Sequence, residues 1–268
     1  MAWSSSQLLD LLPSVIDLAL QAGDRILDVY DTSFDVIQKP DNSPLTQADM
    51  AAHGVIATGL TELTPDLPQL SEEGRLIDYD QRCQWTSYWL IDPLDGTREF
   101  VKRNGEFSVN IALIEKHESV LGVVYAPVLK RLYFASRGNG AFIKRAEHNP
   151  EPIAVNGTTG AQITVAGSRS HTNNRLGRYL DRLGDHTLIN MGSSLKACLV
   201  AEGKADLYPR LGPTSEWDTG AAQCIVEEAG GMVTSTDMQP LRYNTKESIL
   251  NPHFFVFGDR SRNWSEFL

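Results

Sequence analysis

The residues best placed to do chemistry are acidic and sit in four separate stretches. Asp92-Pro93-Leu94-Asp95-Gly96-Thr97 carries two carboxylates three residues apart across a Pro/Gly turn. Such a turn lets both acids converge on one point, with the Leu94 carbonyl between them. Clustered oxygen donors of this kind suit Mg²⁺ or Mn²⁺, not zinc. Gly96 permits close backbone approach to a ligand, and the N–H groups at Gly96 and Thr97 could face a phosphate at a helix start. Glu72 in Ser71-Glu72-Glu73 could reach the same metal as Asp92. Asp218 in Trp217-Asp218 is a further candidate ligand. In Thr46-Gln47-Ala48-Asp49, Asp49 could accept a proton from the Thr97 hydroxyl while Thr97 orients an attacking water. Each piece also has an ordinary explanation. Asp-Pro and Asp-Gly form turns, Asp is a preferred helix N-cap, a Glu pair often marks a solvated strand end, and Thr followed three residues later by an acid resembles a capping box.

The composition narrows the setting. With 268 residues, 41% of them hydrophobic and 22% charged, the chain can bury a sizeable core without cross-links. A net charge of -10 argues against a nucleic-acid-binding surface. It is compatible with an anionic small molecule if the carboxylates hold cations. Cys83, Cys198 and Cys224 are odd in number and widely spaced, so neither a disulfide framework nor a Cys-based zinc site is expected, and a reducing cytoplasm fits. The six histidines form no HExxH pair. No signal-like or membrane-spanning run is expected.

The elements that must position these residues are legible in outline. Apolar residues from Leu8 to Val29 recur at helical spacing, predicting a helix over Gln7 to Tyr30, with Pro13 as a kink or a first-turn residue. A loop follows over Lys39 to Pro44, then a helix from Gln47 to Leu63. Strands are expected at Asp66 to Leu70 and Trp85 to Asp92, and an antiparallel meander from Phe107 to Phe142. A polar stretch near Ala146 to Pro152 suggests a boundary between an N-terminal α+β lobe, residues 1–148, and a C-terminal α/β lobe, residues 149–268. In the second lobe, strands at Ile163 to Gly167 and Thr187 to Met191 alternate with helices at Asn173 to Leu183, Ser194 to Glu202 and Asp218 to Ala229.

Taken together, Glu72, the hexapeptide from Asp92 to Thr97 and Trp217-Asp218 resemble the lithium-sensitive, magnesium-dependent phosphatases that include inositol monophosphatase. Several further stretches resemble the bacterial 3'(2'),5'-bisphosphate nucleotidase branch: Lys39 to Asp49, Lys102 to Asn110, Gly192 to Cys198 and Leu207 to Pro213. The resemblance implies a layered αβαβα sugar-phosphatase-like fold, with mixed sheets sandwiched by helices. It implies a small nucleotide bisphosphate as substrate, hydrolysis of adenosine 3',5'-bisphosphate to AMP, and two or three Mg²⁺ per site. Glu72, Asp92 and the Leu94 carbonyl would hold one ion; Asp92, Asp95 and Asp218 a second. Asp49 and Thr97 would activate water, and Gly96 and Thr97 would bind the scissile phosphate. The substrate contacts implied are Glu72, Leu94, Asp95, Gly96, Thr97, His171, Ser193, Lys196, Arg210 and Asp218. Lys196, one helical turn after Ser193, would supply a point charge for a second phosphate. The resemblance also implies lithium inhibition and a mobile loop at Lys39 to Pro44. It allows use of 3'-phosphoadenylyl sulfate and loose association with the cytoplasmic face of the inner membrane, and it leaves the oligomeric state open. The alternatives are an inositol or sugar monophosphatase on the same metal machinery, or a non-catalytic nucleotide sensor.

Overall fold

The computed structural model describes residues 2–33, 35–38, 44–75, 77–168 and 174–268. The elements, in chain order, are α1 (Ser5–Tyr30), β1 (Ile37–Gln38), β2 (Pro44–Leu45), α2 (Gln47–Leu63), β3 (Gln69–Ser71), α3 (Tyr79–Arg82), β4 (Ser87–Asp95) and α4 (Thr97–Val101). Then come β5 (Ser108–Glu115), β6 (Glu118–Ala126), β7 (Arg131–Ser136), β8 (Ala141–Arg145), β9 (Glu151–Pro152) and β10 (Ile163–Gly167). They are followed by α5 (Asn174–Leu183), β11 (His186–Asn190), α6 (Leu195–Ala201), β12 (Leu207–Arg210), a 3₁₀ turn (Glu216–Asp218), α7 (Gly220–Glu228), β13 (Met232–Ser235) and β14 (Phe254–Phe257).

Two mixed sheets organise the molecule. The larger has the order β3-β4-β5-β6-β7-β8-β9 and the smaller β11-β10-β12-β14-β13. Strand alternation sends the two faces of the larger sheet into different cores. Trp89, Ile91, Val109, Ile111 and Leu113 pack against the apolar stripes of α1 and α2. Their neighbours Tyr88, Leu90, Ala112 and Ile114 pack against α6 and α7. The same two helices cover one face of the smaller sheet, and Val165, Leu207, Phe255 and Phe257 on its other face meet α5 and Trp264. The layers therefore run helix, sheet, helix, sheet, helix, the αβαβα arrangement expected. Seating α7 on the larger sheet requires a bare strand position: a Cβ at Gly122 of β6 would lie 2.1 Å from the Ala221 carbonyl oxygen.

Local chemistry explains the boundaries. Ser4 and Gln7 form a capping box that starts α1 two residues before the expected point. The helix continues through Pro13, which is exposed, so the backbone hydrogen bond it forgoes falls on the solvent side. The strand expected to stop at Asp92 continues to Asp95. Its pairing with β5 shifts register between Asp92 and Asp95, a bulge that absorbs Pro93. The helix expected from Asp218 begins instead at Gly220. Asp218 closes the preceding 3₁₀ turn, and its carboxylate caps the backbone at Ser215. No described helix is long and apolar enough to cross a membrane.

Candidate active site

The bulge at the end of β4 aims its acids. Asp92 is 1% exposed and its Oδ1 accepts a hydrogen bond from the Leu94 amide at 3.0 Å, which tightens the turn. Gly96 then adopts φ +91°, and a Cβ there would sit 3.3 Å from the Glu106 carbonyl oxygen. Glycine satisfies both demands, and α4 starts at the next residue. Glu72 follows β3, held by its amide donating to the Ile91 carbonyl at 3.1 Å. Asp218 arrives from the 3₁₀ turn ahead of α7. One carboxylate oxygen from each of Glu72, Asp92 and Asp218 falls within a group whose members all lie within 4.8 Å of one another.

These acids raise one another's proton affinity. Burial pushes the Asp92 pKa well above the usual carboxylate range, with further increments from Glu72, Asp95, Asp218 and Asp49. Burial does the same to Asp218, reinforced by Asp95 and Glu72. An all-oxygen cluster of repelling carboxylates fits a hard divalent cation, which would cancel that repulsion.

Asp95 is near but held differently. Its Oδ2 accepts from the Ser194 amide at 2.6 Å and the Ser194 hydroxyl at 2.7 Å. The same hydroxyl lies 2.6 Å from the Asp218 carbonyl oxygen, and the Asn110 side-chain amide donates to it at 2.9 Å. One hydroxyl proton serves two acceptors, so Ser194 ties the end of β4 to the Asp218 turn. Neither Ser194 nor Asn110 was expected from the sequence. Ser194 contacts Asp95 from 99 positions away, and nothing in local spacing announces that pairing.

Asp49 caps a helix and reaches toward the cavity. Its Oδ2 accepts from the Thr46 amide and hydroxyl, each at 2.7 Å, completing the capping box of α2. Its Oδ1 lies 3.3 Å from the Thr97 hydroxyl, which is equally distant from the Leu94 carbonyl oxygen. Thr97 lines the cavity, and Asp49 reaches it through Thr97.

The cavity has a volume of about 580 Å³ and is bordered by Glu72, Asp92, Leu94, Asp95, Gly96, Thr97, Ser193, Lys196, Arg210 and Asp218. Lys196 is buried, donates to the Ser193 carbonyl and lies over the Tyr208 ring, 5.4 Å from its centre. Burial lowers its pKa to about 8, an effect Arg210 adds to and Asp95 opposes. Ser193 adopts φ +48°, and its hydroxyl accepts from that of Ser108 at 3.2 Å. Arg210 is turned toward the following loop, with Nη2 donating to the Pro213 carbonyl at 2.8 Å. His171 and the Lys39 loop up to Ser43 lie outside the described residues.

The layered αβαβα fold brings the carboxylates together at one cavity, and the class of the protein follows from that site taken with its relatives. The comparisons with known proteins agree. Residues 8–263 match the model of the inositol monophosphatase family, and the chain belongs to that family. It is 50% identical to the 3'(2'),5'-bisphosphate nucleotidase CysQ of Salmonella typhimurium, covering 92% of this chain and 99% of that protein. It is 41% identical to the protein of that name from Aggregatibacter actinomycetemcomitans, covering 96% of each. Among solved structures, CysQ from Bacteroides thetaiotaomicron superposes with a TM-score of 0.84 at 44% identity, covering 94% of this chain and 98% of that one.

Proposed function

We propose that this chain is a Mg²⁺-dependent 3'(2'),5'-bisphosphate nucleotidase that removes the 3'-phosphate of adenosine 3',5'-bisphosphate, leaving AMP. The observation that carries the reading is the convergence of Glu72, Asp92 and Asp218 oxygens within 4.8 Å of one another. Identity near 50% to nucleotidases over almost their whole length supports the choice of substrate.

Glu72, Asp92 and the Leu94 carbonyl would hold one ion, and Asp92, Asp95 and Asp218 a second. When bound, such ions neutralise charge on the transferring phosphoryl group and on its leaving oxygen. The protein's own groups do the rest. The Gly96 and Thr97 amides, at the start of α4, donate to the scissile phosphate. The Thr97 hydroxyl, within reach of Asp49, orients the attacking water, and Asp49 takes its proton. Thr46 holds the other Asp49 oxygen, which keeps the acceptor pointing at Thr97. The water oxygen forms the new bond to phosphorus as the bond to the 3'-oxygen breaks, that oxygen takes a proton from solvent water to leave as a hydroxyl, and Asp49 gives the proton it accepted back to solvent. Lys196, still mostly protonated at neutral pH with a pKa of about 8, serves the second phosphate together with Ser193, Arg210 and His171.

The test is phosphate release across a panel: adenosine 3',5'-bisphosphate, 3'-phosphoadenylyl sulfate and inositol 1-phosphate, each with Mg²⁺ and with chelator. The bisphosphate should be turned over fastest, Mg²⁺ should be required, Li⁺ should inhibit, and Asp92→Asn should abolish turnover. A preference for inositol 1-phosphate would overturn the substrate assignment. Tight nucleotide binding without phosphate release would make the chain a sensor instead.

A further inference from the structure

One carboxylate in the cavity has no task in the mechanism above. Glu99 lies in the first turn of α4, two residues beyond Thr97, and lines the same cavity. It is partly buried, and burial raises its pKa, with a hydrogen bond from its own backbone amide, and then Lys196 and Lys102, pulling the other way against Asp95. Among the described residues, no other side chain donates a hydrogen bond to its carboxylate or pairs with it within ion-pair distance. Lys196 is in electrostatic reach, yet its ammonium donates to the Ser193 carbonyl. The position is also built. A Cβ at Gly192 would lie 2.3 Å from the Glu106 carbonyl oxygen and 2.9 Å from Glu99 Cγ, so the bare glycine admits the Glu106 backbone and also leaves room for the Glu99 side chain beside Ser193.

A negative group facing a pocket for a doubly phosphorylated ligand repels that ligand, unless the ligand brings it a hydrogen-bond donor. An adenosine bisphosphate has two kinds of donor: the free ribose hydroxyl and the adenine amino group. The start of α4 faces the scissile phosphate, and the donor nearest that phosphate is the hydroxyl on the neighbouring ribose carbon. The amino group lies at the far end of the nucleoside.

We infer that Glu99 is a specificity-determining residue that accepts a hydrogen bond from the ribose hydroxyl adjacent to the scissile phosphate. The inference rests on the nucleotidase reading. It makes the enzyme selective for ribonucleotides, because a deoxyribose substrate brings the carboxylate no donor to offset its repulsion of the incoming charge.

The experiment compares kcat/KM for adenosine 3',5'-bisphosphate and 2'-deoxyadenosine 3',5'-bisphosphate in wild type, Glu99→Ala and Glu99→Gln, each with saturating Mg²⁺. A hydrogen bond to a charged acceptor predicts that wild type favours the ribose substrate by about 10- to 100-fold. Glu99→Ala should bring the ratio to about 1, mainly by raising KM for the ribose substrate, and should leave the deoxy substrate unchanged or improved. Glu99→Gln, which keeps an acceptor oxygen, should retain part of the preference. An unchanged ratio in Glu99→Ala, or equal losses on both substrates, overturns the role of Glu99 while leaving the nucleotidase reading intact. Wild type that fails to release phosphate from the ribose substrate overturns both. If Glu99→Ala does not fold, a ratio in Glu99→Gln identical to wild type counts against the inference and a reduced one supports it.

Discussion

At the scale of single residues, a helix cap need not use up the side chain that makes it. Thr46 and Asp49 form the capping box that their spacing allows, and the second Asp49 oxygen is left facing Thr97. A helix cap thereby fixes the orientation of a carboxylate oxygen at Thr97 with no additional residue. The Thr97 hydroxyl is the link between Asp49 and the cavity, so Thr97→Val keeps the shape and removes the hydroxyl. Steady-state kinetics should show kcat lower by about 10²- to 10⁴-fold, with KM for the bisphosphate changed little. A loss confined to KM would mean that Thr97 binds substrate without orienting water. The hexapeptide and the capping box were legible in the sequence because their partners are local. Ser194, Asn110 and Glu99 were not, because their significance depends on contacts that only tertiary folding creates.

At the scale of elements, turns decide where the acids point. The β4 bulge and the left-handed Gly96 together redirect the chain from strand to helix within a few residues. Gly96→Ala should cost about 1–2 kcal/mol from the positive φ alone, and the tight approach to Glu106 adds to it. Thermal melting should fall accordingly, and activity should fall further, since the Thr97 amide moves with the turn. A second turn offers a clean pH signature. After β14, the Asp259 carboxylate accepts from the Thr159 amide at 2.9 Å and from the Ser261 amide and hydroxyl at 2.9 and 2.6 Å. Those bonds, the Ser261 hydroxyl foremost, hold its pKa down at about 2. A depressed carboxylate contributes stability above its unfolded pKa, near 4, and loses it as pH falls toward 2. Urea unfolding between pH 4.5 and 2.5 should therefore show a shallower pH slope in Asp259→Asn, by at most about 1.4 kcal/mol per pH unit. Identical slopes would mean that these bonds do not discriminate the charged form. The main helices and the meander could be read from periodicity. The 3₁₀ turn at Asp218 could not, because an acid capping a helix and an acid closing a turn before it leave the same local pattern.

For the whole molecule, α6 and α7 form a buried layer shared by both sheets. We propose the division into a lobe of residues 1–148 carrying the main acidic motifs and a lobe of residues 149–268 carrying Asp218. The cluster of Glu72, Asp92 and Asp218 then spans both, and cation binding becomes coupled to overall stability. Mg²⁺ at about a hundred times its dissociation constant should stabilise the fold by about 2.7 kcal/mol. Melting curves should shift upward by several degrees on addition of Mg²⁺ to chelator-treated protein, and Asp92→Asn should remove most of the shift. An unchanged melting temperature in wild type would argue against a cation at this cluster. The layer order itself follows from strand alternation. The meeting of the two sheets across one helical layer required the folded chain, since no local pattern records which helix faces which sheet.

The seat of α7 on Gly122 bears on ion choice. At Gly122 the helix rests on the strand with no side chain as a spacer, so α7, which follows the Asp218 turn, has little room to shift against the larger sheet. Mg²⁺ demands short, near-octahedral bonds, whereas Ca²⁺ tolerates longer and looser ones. A seat this close should hold the acids at short spacing, so Gly122→Ala, by lifting the helix, should weaken Mg²⁺ binding more than Ca²⁺ binding in a calorimetric comparison.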